Sequence, residues 1–65
     1  MLKKFLGMTW EEAIAEATRQ GREVYECEAT EWEDAHLEVS TIEGNGAALW
    51  FEDDKVVEFE FLGWL

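Results

Sequence analysis

Cys27, His36 and a large set of carboxylates are the side chains in this sequence whose types could do chemistry. The chain holds one cysteine, one histidine and 16 Asp or Glu. A cysteine beside a histidine makes a nucleophile and its base. The local patterns argue against that pairing here. Residues 22–29 alternate loosely, with Tyr25, Cys27 and Ala29 on one strand face and Glu26 and Glu28 on the other. Residues 35–42 set Leu37, Val39 and Thr41 together, with His36, Glu38 and Ser40 opposite. Cys27 and His36 are thus expected on opposite faces, and acid-rich surroundings raise a thiol pKa rather than lower it. Cys27 reads as a structural cysteine. Ser40 lacks the G-x-S-x-G context of a hydrolase nucleophile.

Metal and phosphate chemistry find little support at this level. One Cys and one His do not make a structural zinc site, and Glu52-Asp53-Asp54 lacks the spaced acids of a calcium loop. Gly44-Asn45-Gly46 has no basic neighbours and is a hairpin turn, not a phosphate cradle. Paired carboxylates could serve a glycosidase, but a chain of 65 residues offers no cleft for a sugar. The expectation is a protein that is not an enzyme and has no cofactor and no metal.

What remains is the charge itself. Residues 1–22 carry three acids against four bases, whereas residues 23–65 carry 13 acids and one base, Lys55. The net charge is −11, beyond the magnitude of about 2–8 that suits a small domain's solubility. Turned away from a helix, the strand patterns place Glu26, Glu28, Glu38, Glu52, Glu58 and Glu60. The 29–35 connection adds Glu31, Glu33 and Asp34, and a hairpin tip adds Asp53 and Asp54. Carboxylates at i and i+2 on a strand sit about 6.6 Å apart, from a rise of about 3.3 Å per residue. That is of the same order as phosphate spacing along one nucleic-acid strand. The bland alternative is a surface that only confers solubility. Trp50, on the carboxylate face by parity, and Trp32, inside the acidic connection, could anchor a basic partner through cation–π contact.

The elements that must position these groups are well marked. Thr9 followed by Glu12 is a capping box. Trp10, Ala13, Ile14 and Ala17 then form one apolar stripe, and Gly21 is a left-handed stop, which predicts a helix over 10–20. Strands are predicted over 22–29, 35–42, 47–52 and 55–61. In the last, Val57, Phe59 and Phe61 alternate with Glu58 and Glu60. Short connections make neighbouring strands pair. The expected fold is α+β: a single domain over 1–65, with one N-terminal helix packed on a four-stranded antiparallel meander. Its helix would meet Leu37, Val39, Leu49, Phe51, Val57, Phe59 and Phe61, with Trp10 also in the core. A lone cysteine forms no internal disulfide, no run approaches the roughly 20 apolar residues of a membrane span, and the start is too short in apolar residues for a signal peptide. A bacterial cytoplasmic location is the expectation. The apolar tail 61–65 allows either a monomer or a homodimer.

A very short, strongly acidic α+β chain with ordered carboxylates on a sheet resembles the small phage-encoded anti-CRISPR proteins that act as DNA mimics. The resemblance covers the overall profile and rests on no motif. It implies a stoichiometric inhibitor that occupies the basic DNA-binding channel of a bacterial defence complex, with a type I surveillance complex favoured, and that does not itself bind nucleic acid. The alternative reading is an immunity- or antitoxin-like protein capping a basic toxin or nuclease active site. Met8 to Ile14, continuing to Gly21-Arg22, also looks like the opening helix of small phage proteins that sequester signalling nucleotides, but the acidic sheet departs from what ligand phosphates need.

Overall fold

The computed structural model describes residues 2–40 and 46–62. A short 3-10 helix, Leu2–Phe5, precedes the helix α1, Trp10–Arg19. Four strands follow: β1 Val24–Cys27, β2 His36–Ser40, β3 Gly46–Glu52 and β4 Lys55–Leu62. They form one antiparallel sheet in the order β1-β2-β3-β4. The α+β arrangement expected from the sequence is the one observed. The turn residues Gly44 and Asn45 and the tail 63–65 lie outside the described residues.

Local chemistry sets the ends of α1. The Thr9 amide donates to Glu12 Oε1 at 2.9 Å, and the Glu12 amide donates to Thr9 Oγ1 at 3.3 Å. At the other end the Arg22 amide donates to the Ala17 carbonyl and the Gly21 amide to the Thr18 carbonyl. This is a Schellman motif, and it requires the positive φ of +77° that Gly21 adopts. Ala13 and Ala17, one turn apart and fully buried, let the helix approach the sheet closely.

The core lies between α1, the 3-10 helix and one face of the sheet. It joins Leu2, Phe5, Ala13, Ala17, Leu37, Val39, Ala47, Leu49 and Val56, with Met8, Trp10, Ile14, Val24, Phe51 and Phe59 packed against it. Trp10 stacks at a tilt on Phe51, with ring centroids 4.8 Å apart. The contribution of the N-terminal turn is not apparent from the sequence pattern. Phe5 is among the largest fully buried side chains, and residues 7–9 run antiparallel along the start of β4. The Gly7 amide donates to the Val56 carbonyl, and the Val56 amide to the Met8 carbonyl, each at 2.8 Å.

Three expectations about the sheet are corrected. Val57 was expected in the core, alternating with Phe59 and Phe61. Instead Val56 is 2% exposed and Val57 is 54% exposed. A bulge is the reason: Trp50 pairs with Glu58 but Phe51 pairs with Val56, so Val57 is the extra residue. Phe61 shares the core-side face by register yet is exposed, with its edge against Phe59. The phase of β1 is also reversed. Val24 pairs with Val39 and Glu26 with Leu37, so Val24 and Glu26 lie on the helix side, while Tyr25 and Cys27 lie on the outer face.

Candidate functional site

The outer face of the sheet, turned away from α1, is built in rows set by strand register. Cys27, His36, Trp50 and Glu58 form one row. Tyr25, Glu38, Ala48 and Glu60 form the next. Neighbouring strands lie about 4.8 Å apart, which puts Glu38 and Glu60 on backbones about 9.6 Å apart and Glu58 and Glu60 about 6.6 Å apart. Glu58 and Glu60 are exposed, and Glu38 is partly buried. The face therefore carries Glu58 and Glu60 along the β4 edge and Glu38 on the inner strand β2, separated by Ala48 and Trp50, rather than a continuous carboxylate array.

Not every expected acid belongs to it. Glu26 was expected on this face and is not: it lies on the helix side, where its Oε1 accepts from the Trp10 indole N–H at 3.1 Å. The indole donor needs an acceptor at the rim of the core, and β1 supplies Glu26 in that phase. Glu28 lies beyond the end of β1, exposed in the connection to β2. Glu31, Glu33 and Asp34 are exposed in the same connection, which is held by Thr30. Its Oγ1 accepts from the amides of Trp32 and Glu33, and its own amide donates to the Glu33 carbonyl. This turn presents Trp32 at 86% exposure between acids. Glu52 pairs in register with Lys55, the one lysine or arginine within the strands. Asp53 and Asp54 form the two-residue turn between them with φ of +53° and +65°, a type I′ hairpin.

The bases gather elsewhere. Glu16, largely buried on α1, receives the Arg19 guanidinium, the Gln20 amide at 2.7 Å and the Lys4 ammonium at 3.6 Å. Hydrogen bonds from Arg19 and Gln20 lower its pKa to about 2. The Arg22 guanidinium donates to the Ser40 carbonyl at the β2 end. Lys4, Arg19 and Arg22 thus sit on the helix side and at the sheet margin, and Lys55, opposite Glu52 at the hairpin end, is the one lysine or arginine within the strands.

The sequence pattern missed one constellation. Cys27 and His36 are direct cross-strand partners on the outer face, not residues on opposite faces as expected. His36 is 5% exposed under Trp50, with the two rings stacked at 4.3 Å. Its Nδ1 lies 3.0 Å from the Asp34 carbonyl oxygen, so Nδ1 carries a proton and donates it there. Nε2 lies 3.2 Å from Glu38 Oε2. The Cys27 thiol lies beside the same carboxylate, and burial together with Glu38 and Glu33 raises its pKa. Cys27, Glu38 and His36 therefore form one polar cluster on the outer face. The raised thiol pKa agrees with a cysteine that is not an activated nucleophile. The register could have signalled the cluster, because a hairpin centred on 31–32 sets residue 27 opposite residue 36.

No helix among the described residues is long and apolar enough to cross a membrane. Comparison with protein-family models, with curated proteins and with solved structures finds no match to the chain.

Proposed function

We propose that the protein is a non-enzymatic inhibitor that docks its acidic outer face on a basic, nucleic-acid-binding surface of a partner protein, excluding the nucleic acid. The observation that carries this reading is the segregation of charge. Glu38, Glu58 and Glu60 share one face with no lysine or arginine among them, and the acidic 28–34 connection continues that surface. The free protein tolerates this self-repulsion, which a basic partner would relieve. Trp50 and the exposed Trp32 offer aromatic anchors for arginine. The resemblance to DNA-mimic anti-CRISPR proteins names a bacterial CRISPR defence complex as the partner class, in the cytoplasm of the host cell.

The test is competition. The protein should displace duplex DNA from such a complex, with an association rate that falls steeply as salt rises. Reversing two exposed charges, Glu58→Lys with Glu60→Lys, removes two attractions and adds two repulsions. At about 1 kcal/mol per contact at 4 Å in water, that amounts to about 4 kcal/mol, or nearly a thousandfold in affinity. Undiminished inhibition by the reversed variant overturns the proposal. A single salt-resistant partner whose capture ignores DNA would favour the immunity-protein reading instead.

A further inference from the structure

Of the Cys27–His36–Glu38 cluster only Glu38 enters the docking reading, and the geometry of the three together is that of a cation site. We infer that Cys27 Sγ, His36 Nε2 and a Glu38 carboxylate oxygen form a three-ligand site for a divalent transition-metal ion of the zinc class, with a fourth position open on the outer face. The three ligand atoms all lie within 4.8 Å of one another. In a tetrahedral zinc site, bonds of about 2.0–2.1 Å to nitrogen and oxygen put those two atoms about 3.3 Å apart. His36 Nε2 and Glu38 Oε2 already stand at 3.2 Å. A bond of about 2.3 Å to sulfur asks for about 3.5 Å between sulfur and each of the others, against the 4.8 Å within which all three ligand atoms already stand.

The surroundings suit the same task. A ligating imidazole ordinarily gives its other N–H to a carbonyl or carboxylate, which fixes the tautomer and the ring plane. The Asp34 carbonyl does this at Nδ1, and Trp50 clamps the ring. The three ligands come from the paired strands β1 and β2, so their spacing is set by the sheet and not by a loop. The charges balance. The Cys27 thiol loses its proton to solvent as sulfur binds, any proton on Nε2 leaves with it, and thiolate plus carboxylate neutralise a divalent ion. The negative field that disfavours a free thiolate at Cys27 favours a bound cation at the same place. Three protein ligands and an open fourth position are the arrangement of sites that bind water or an exogenous donor, rather than of closed structural zinc sites.

The experiment is a titration of the full chain with Co2+, followed by displacement with Zn2+, on the wild type and on C27S, E38Q, H36Q and the hairpin-tip double variant D53N/D54N. The expected result is one ion per chain, with a thiolate-to-cobalt charge-transfer band that C27S abolishes. E38Q and H36Q should each weaken binding by at least about tenfold, and D53N/D54N should leave it unchanged. Near-ultraviolet circular dichroism checks each fold. C27S and E38Q, near-isosteric and on a partly exposed margin, carry the test if H36Q does not fold. Absence of the charge-transfer band in the wild type overturns the inference. So does equal binding by C27S, or a loss in D53N/D54N as large as that in E38Q, which would mark diffuse attraction by surface acids. None of these outcomes bears on competition with DNA.

Discussion

Val56 and Val57 are adjacent and chemically identical, and truncating each to alanine isolates the effect of the β4 bulge. Val56 is 2% exposed among Phe5, Leu49 and the rest of the core, whereas Val57 is 54% exposed. Val→Ala removes two carbons. At roughly 0.8 kcal/mol per buried methylene that is about 1.6 kcal/mol at Val56, and the cavity left behind brings it to about 2 kcal/mol. At Val57 the same truncation should cost less than about 0.5 kcal/mol. Loss of β-propensity acts on both positions in one strand and largely cancels in the comparison. The backbone bonds of Val56 to Gly7 and Met8 persist in either variant. A chain of 65 residues has a total stability of roughly 3–10 kcal/mol, so 2 kcal/mol is a large fraction of it. Urea unfolding followed by tryptophan fluorescence should show Val56→Ala with a clearly lower midpoint and Val57→Ala close to the wild type. In a thermal scan the first should fall by about 10 °C. A larger loss at Val57 than at Val56 would mean that the strand keeps strict alternation through Val57, Phe59 and Phe61, and would refute the bulged register.

Three further outcomes follow from the same geometry. Asp53→Asn with Asp54→Gly should stabilise the protein by up to about 1 kcal/mol in urea unfolding, because both turn positions have positive φ and Asn-Gly suits a type I′ turn best; a loss of stability would contradict the turn type. Glu16 titrates at about 2 when folded against 4.5 as its ordinary value, so its contribution is complete above about pH 4.5 and is lost as pH falls towards 2; Glu16→Gln should flatten the acid limb of a stability–pH curve over that window, and an unchanged limb would show that its partners contribute nothing. The Cys27 thiol, raised by burial and by Glu38, should alkylate more slowly than a free cysteine near neutral pH, and Glu38→Gln should speed the reaction; equal rates in both proteins would separate Glu38 from the thiol.

Much of the architecture is legible residue by residue. Thr9 with Glu12 starts the helix and Gly21 ends it, because caps are made within a few residues of chain. The Asp53-Asp54 turn and the alternation of β2 and β3 are local in the same sense. The charge bias is a matter of composition, so the concentration of acids on the strands was visible before any coordinate. Of the six strand acids expected on the outer face, Glu38, Glu58 and Glu60 lie where parity puts them, while Glu26 lies on the helix side and Glu28 beyond the end of β1. The 3-10 turn with Phe5 was not legible, because a lone aromatic in a short segment has no periodicity to reveal what it packs against.

Local sequence settles α1 and the four strands, their order, the meander and the excess of carboxylates. The tertiary structure decided phase. A strand's twofold alternation has two equivalent settings, and β1 offers Val24 in one and Tyr25 with Cys27 in the other, so composition does not choose between them. The choice falls to the neighbours: Val39 stands opposite Val24, and the Trp10 indole needs the Glu26 carboxylate. That choice removes Glu26 from the acidic face and brings Cys27 across from His36. The bulge made the same kind of decision in β4, exchanging Val57 for Val56, because a one-residue slip turns a side chain from the core to solvent without altering a single local preference.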